Sequence, residues 1–194
     1  MFIIISGISA SGKNTVIQQL IKRRNNLKVL LKSSCTTRAP RESDSEFQTY
    51  NYLTVAEFEN YIKEGQFIEH EKVHGEYYGT LKKAFDIVIE DKENDYIRDI
   101  DVKGSLNIKK YLNGKVKVLS IFLDAPDEEL RRRLKERGES DERIEVRLSR
   151  GELEREYKKY YDLVIDNIDL NKTLEIIENF IDKAKEEKWG MFML

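Results

Sequence analysis

The chain has 194 residues, 40% hydrophobic and 36% charged, a length that suits one domain and a composition too apolar for a disordered polymer. Its 34 basic and 36 acidic residues leave a formal net charge of -2, which excludes the global basic excess of a nucleic-acid or anionic-membrane binder. The single cysteine, Cys35, excludes an intramolecular disulfide and suits a reducing, cytoplasmic setting. In chain order, the apolar run 2–5 ("FIII") reads as a buried strand and is far too short for a signal-peptide core or a membrane span. Residues 15–24 read as an amphipathic helix with Val16, Ile17, Leu20 and Ile21 on one face. The segment 33–94, rich in tyrosine, breaks this rhythm and reads as an inserted lobe of mixed, partly β character. A strand over 95–101, a helix over 106–112, a strand over 116–123 and a helix over 127–137 follow. A polar insert covers 137–147, with helical spacing over 141–161, a short strand at 163–165 and a last helix over 170–188. The apolar ending "WGMFML" reads as a docking tail or an interface. Strands separated by helices predict an α/β fold, with a parallel sheet flanked by helices.

The stretch "GISASGKNTV", residues 7–16, joins the first predicted strand to the first helix. A glycine-rich turn in that place points backbone N–H groups at a phosphate, and the helix N-terminus adds partial positive charge. Gly7 and Gly12 allow backbone shapes that a Cβ hinders, and Lys13 can reach outer phosphates as a point charge. The usual pattern is G-x-x-x-x-G-K-[ST]; here Asn14 stands at the last position and Thr15 follows. The usual hydroxyl helps to hold Mg²⁺, and an asparagine carbonyl oxygen or a water can fill that place. Some nucleoside monophosphate kinases carry "GKGT", and Thr15 stands in the slot of that threonine.

A second cationic pair, Arg38 and Arg41 in "SSCTTRAPR" (33–41), is stiffened by Pro40. Two guanidinium forks can clamp a phosphate; by local chemistry alone a pair of solvated loop residues is an equal reading. Glu69, read alone, is a surface charge in "EHEK". Wider stretches favour a ligand. "SSCTTRAPR", "FIEHEKVHGEYYGT" (67–80), "RDIDVKG" (98–104), "RRRLKERG" (131–138) and "YYDLVIDN" (160–167) resemble, in order, the signature stretches of guanylate kinases. The resemblance runs from Phe2 to about Lys185.

The resemblance implies one guanylate-kinase-like domain with a phosphate-loop core (1–32, 95–136, 148–194), a GMP-binding lobe (33–94) and a short lid (137–147). It implies transfer of the γ-phosphoryl group of ATP to GMP in purine nucleotide metabolism, with Mg²⁺ as cofactor. The ATP site would comprise Gly7, Ser9, Ala10, Ser11, Gly12, Lys13, Asn14, Thr15 and Asn167. Arg38 and Arg41, joined by Tyr50 and Tyr78, would hold the GMP phosphate, while Ser34, Glu69, Thr80 and Asp101 read guanine. A carboxylate suits the N1–H and N2 amino edge that adenine lacks. Arg133, Arg137 and Arg147 would close over the ATP phosphates. With Lys13 and Asp99 they form the expected catalytic set, and Asn14 and Asp99 would meet the metal directly or through water. The chain departs from the family pattern at Ile8, Ala10, Asn14 and Arg98, and in the glycine-poor loop 42–49. The alternatives are a guanylate-kinase-like binding module without catalysis and a kinase for another small phosphate acceptor. The first typically lacks the loop lysine and lid arginines, which this chain has. Expected partners are small molecules, with no nucleic acid or membrane, in a monomer or homodimer.

Overall fold

The apolar run that opens the chain lies at the middle of a parallel sheet. The structure is a computed structural model that describes residues 1–40, 50–73 and 75–186. In chain order its elements are β1 (Phe2–Gly7), α1 (Lys13–Arg23), β2 (Leu27–Val29), β3 (Ser34–Thr36), β4 (Tyr50–Tyr52), α2 (Val55–Lys63), β5 (Phe67–Val73) and β6 (Glu76–Leu81). After a 3-10 turn at Lys83–Phe85 come α3 (Asp86–Glu90), β7 (Asp95–Asp99), α4 (Val102–Leu112), β8 (Val118–Asp124) and α5 (Asp127–Glu136). The chain continues through α6 (Asp141–Arg155), β9 (Leu163–Asp166) and α7 (Leu170–Glu186).

Five parallel strands form the core sheet in the order β2-β7-β1-β8-β9. Helices cover both faces, which is why β1 is apolar without alternation. Ile3 and Ile5 pack with Val16, Leu20, Leu174 and Ile177 of α1 and α7. Phe2 and Ile4 pack with Ile108 and Leu112 of α4. Fully burying one such side chain contributes about 1.5–3 kcal/mol, so β1 is a firm rail for the loop that follows it. From β1 the chain runs out to β2, returns to β7 beside β1, then crosses to β8 and β9 on the other side. Open parallel sheets bind ligands at the C-terminal ends of strands where the order reverses in this way.

Residues 34–81 carry a second sheet, of order β4-β3-β6-β5. One face is apolar: Cys35, Phe58 and Phe67 are buried together, with Tyr77 packed beside them. Phe58 belongs to α2, whose N-cap Thr54 and Glu57 form a reciprocal capping box. The opposite face is left for polar side chains.

Three element boundaries differ from the sequence expectation for local reasons. The helix expected from 106 begins at Val102, because Asp101 Oδ1 accepts from the backbone N–H groups of Lys103 and Gly104. The polar stretch 137–147 is a tight turn through Gly138, at φ 77, followed by the first turns of α6, capped by Ser140. The helix expected to reach 161 stops at Arg155, where its guanidinium bonds Asp124, Asp127 and the Ala125 carbonyl. Among the described residues no helix is long and apolar enough to cross a membrane.

Candidate active site

The loop after β1 is shaped by two glycines in conformations that L side chains rarely adopt. Gly7 has φ 143, and a Cβ there would meet the Leu123 carbonyl oxygen at 2.0 Å. Gly12 caps α1 at φ 93, and its Cβ would meet Asn167 Nδ2 at 2.5 Å. Between them the Ser11 N–H donates to the Ile8 carbonyl at 3.1 Å. Ala10 also lies in the left-handed region, at φ 66, where glycine would be at ease. The first N–H groups of α1 have no acceptor within the helix, and the helix dipole makes this end favourable for an anion. Ser11 Oγ is the one buried side-chain N or O atom without a hydrogen-bond partner among the described residues.

Lys13 opens α1, and its ammonium donates to the carbonyls of Gly7 (2.7 Å) and Ile8 (3.0 Å). Burial pushes its pKa down, while the charges of Asp99 and Glu154 oppose that shift. Three side chains brace the loop from outside. The Asn167 amide donates to Ser11 O at 2.8 Å, and Arg133 donates to Ala10 O at 3.3 Å and Asn167 O at 2.7 Å. Arg147 donates to Ser9 Oγ at 2.9 Å and pairs with Glu139 at 2.7 Å.

A cavity of about 690 Å³ opens beside this loop, lined by Gly7, Ser9 and Lys13 on one side and by Ser34, Tyr50, Glu69 and Thr80 on the other. The second group follows from strand register. Tyr50 pairs with Ser34, Ser34 with Thr80, and Thr80 with Glu69. These four residues form one row across all four strands, on the face opposite the apolar packing against α2. Asp99 and Asp101 line the same cavity from the end of β7 and the start of α4.

Within the row, the Thr80 hydroxyl donates to Glu69 Oε1 at 2.6 Å. Burial raises the Glu69 pKa, opposed by the Thr80 bond and reinforced by the nearby charge of Asp101. Asp101 has two tasks: one carboxylate oxygen caps α4, and the side chain also borders the cavity. Arg38 and Tyr78 reach the site through Tyr50. The Arg38 guanidinium lies 5.5 Å from the Tyr50 ring centre and donates to Ala39 O at 2.7 Å, and the Tyr78 ring meets Tyr50 edge-on at 6.4 Å. Arg41 lies outside the described residues.

A smaller hollow of about 160 Å³ on the other side of the loop is lined by Ala10, Gly12, Thr15, Arg133, Arg137 and Asn167. Asn14 is exposed in the first turn of α1 and borders neither space. Of the expected residues, Gly7, Ser9, Lys13, Ser34, Tyr50, Glu69, Thr80, Asp99, Asp101 and Arg147 thus line the larger space, and Ala10, Gly12, Thr15, Arg133, Arg137 and Asn167 the smaller. Sequence reasoning missed Arg98, Arg143, Arg150 and Glu154, which also line the larger cavity. For Arg98 the signal was present, a cation inside a predicted strand; the other three lie on the solvated-looking α6. Cys35 is fully buried with its thiol pushed up to about 11 by burial, which leaves it inert as a nucleophile at neutral pH.

A parallel sheet whose central strand feeds a glycine-bounded, lysine-bearing turn at a helix start defines a phosphate-loop α/β protein. The family model described as guanylate kinase matches residues 1–184. A guanylate kinase of Bacteroides thetaiotaomicron is 40% identical over 188 residues, covering 93% of this chain and 90% of that protein. One from Porphyromonas gingivalis is 39% identical, covering 92% and 95%. The crystal structure of guanylate kinase from Anaplasma phagocytophilum superimposes with a TM-score of 0.69 at 28% identity, covering 97% of this chain and 87% of that one. The chain belongs to the guanylate kinase family.

Proposed function

We propose that this chain transfers the terminal phosphoryl group of ATP to GMP, giving ADP and GDP. The observation that carries this reading is the cross-strand row Tyr50–Ser34–Thr80–Glu69 facing Lys13 across one cavity. Such a row offers hydroxyls and a carboxylate to a base at one end and a phenol to a phosphate at the other. The Glu69 carboxylate accepts from guanine N1–H and the N2 amino group, with Ser34, Thr80 and Asp101 completing the base edge. Arg38, Arg41, Tyr50 and Tyr78 hold the acceptor phosphate. The donor's outer phosphates lie on the loop from Gly7 to Thr15 and on Lys13. Arg133, Arg137 and Arg147 neutralise them, with Asn167 behind the loop.

Transfer proceeds when an acceptor phosphate oxygen attacks the terminal phosphorus and the bond to the bridging oxygen of ADP breaks. The acceptor is already ionised, so no general base is required, and catalysis is alignment plus stabilisation of spread negative charge. The donor set fits Mg²⁺ carried in on phosphates. That ion takes one or two carboxylates and completes its shell with water and phosphate. Asp99 supplies a carboxylate in the cavity and Asn14 an exposed amide oxygen at the helix start. Among the described residues no cluster of three or more His, Cys, Asp or Glu forms a protein cage. When bound, Mg²⁺ would supply positive charge against the donor phosphates. The single cysteine supports a cytoplasmic setting.

The test is a substrate panel: ADP release from Mg-ATP is measured with GMP, AMP, CMP and UMP in turn. A response confined to GMP is expected. Equal responses, or none with any nucleotide, would remove the reading.

A further inference from the structure

Arg98 is a buried cation that the assigned roles leave unexplained. It stands in β7 opposite Ile4 of β1, on an inner strand of the core sheet, with only 5% of its surface exposed. Its strand neighbours on the same face, Tyr96 and Ile100, both belong to the apolar cluster under α4. A buried guanidinium is expensive unless it is paired and hydrogen-bonded. Arg98 is only partly so. It donates to the Leu30 carbonyl at 2.5 Å and makes a long contact of 3.5 Å to Ser34 Oγ. Of the five N–H groups of an arginine, the others meet no acceptor among the described residues; no carboxylate among those residues forms a salt bridge with it, although the charge of Asp99 favours its ionised form against the effect of burial. Its head does not vanish into the core: it lines the large cavity together with Ser34, Tyr50 and Asp99. Its charge is also the largest charge acting on the Tyr50 phenol, ahead of that of Arg38.

We propose that Arg98 is an additional cation of the acceptor site, whose buried charge is met by the phosphate of GMP. The inference rests on the assignment of the lobe side of the cavity to GMP. An arginine at this position weakens the empty fold and strengthens the loaded one, since the anion arrives with the substrate.

The test compares Arg98→Met, which keeps volume without charge, with Arg98→Lys, which keeps the charge. Steady-state constants, competitive inhibition by guanosine and thermal unfolding are measured for each. For Arg98→Met the KM for GMP should rise on the order of tenfold to a hundredfold, the range of a hydrogen bond to a charged group. The KM for ATP and the inhibition by guanosine, which has no phosphate, should not change. Arg98→Lys should recover part of the loss. The ligand-free Arg98→Met protein should melt at a higher temperature than the parent, with a smaller upward shift on adding GMP. An unchanged KM for GMP would overturn the proposal. So would equal weakening of GMP and guanosine, or a ligand-free protein that melts lower. Glu69→Gln is the control. If it leaves the KM for GMP untouched, the assignment of the lobe side fails. If it raises that KM while Arg98→Met does not, only the role of Arg98 fails.

Discussion

A half-buried carboxylate facing a second carboxylate gives up its proton less readily than one in water. Glu69 is in that position, with burial as the main cause and Asp101 adding to it, so its pKa stands above the ordinary 4.5. Recognition of the guanine N1–H and N2 edge needs the ionised form. GMP binding should therefore fail on acidification at a pH above 4.5, higher than an exposed glutamate would dictate. The sign for stability is the reverse. A raised pKa means the folded state holds the proton more tightly, so Glu69 costs stability when ionised and that cost is relieved as pH falls through its folded pKa. Titrating GMP affinity between pH 7 and 4 checks this, and Glu69→Gln should flatten the profile while weakening GMP more than ATP. A profile identical to that of the variant would contradict it. Glu69 also shows why the residue alone misleads: within "EHEK" it looks solvated, and only its pairing with Thr80 turns it inward.

At the scale of elements, α6 governs how the arginine-rich region meets the phosphate loop. Its apolar stripe, Ile144 and Leu148, packs with Ile8, Leu130 and Leu134. Gly151 lets it come closest, since a Cβ there would meet Ile8 Cγ2 at 2.7 Å. Alanine normally favours a helix over glycine by about 0.5–1 kcal/mol, but overpacking costs about 1–3 kcal/mol. Gly151→Ala should therefore destabilise the native protein, and the same change should become neutral or stabilising in an Ile8→Ala background. Denaturant unfolding of the four proteins of this cycle reads the coupling directly. Equal effects in both backgrounds would mean that helix and loop do not press on each other. The anchor at the far end of α6 is ionic: Arg155 and Lys158 converge on buried Asp124. Burial works against ionisation of Asp124, but those two cations and the Ala125 N–H prevail and lower its pKa.

At the scale of the whole molecule, the cavity lies between two sheets of different construction. The core sheet supplies the loop and Lys13; the lobe sheet supplies the row that ends in Glu69. A ligand spanning both should stabilise the fold through the two together. A guanosine–adenosine pentaphosphate at a hundred times its dissociation constant should contribute about 2.7 kcal/mol. For a chain of this size that is a rise in melting temperature of about 5–10 °C. At equal concentrations GMP or an ATP analogue alone should shift it less, because each engages one side. Thermal unfolding with the three ligands decides the matter. No added effect of the joined ligand would mean that the two sides do not form a continuous site.

The alternation of strands and helices in the core apart from β2, the buried β1 and the phosphate loop were readable from the chain because each rests on local chemistry. Unbroken apolar residues make a doubly covered strand, and two glycines with a lysine make an anion turn at a helix start. The signature stretches likewise pointed to the residues proposed for the acceptor site. What tertiary structure alone decided was register and depth. Tyr50, Ser34, Thr80 and Glu69 become neighbours only when four strands align, and Arg98 becomes a cavity residue only when β7 pairs between β2 and β1 and Leu30 and Ser34 come within reach of its guanidinium. Both depend on pairings between distant parts of the chain, and no local pattern encodes which of the possible alignments buries the most apolar surface.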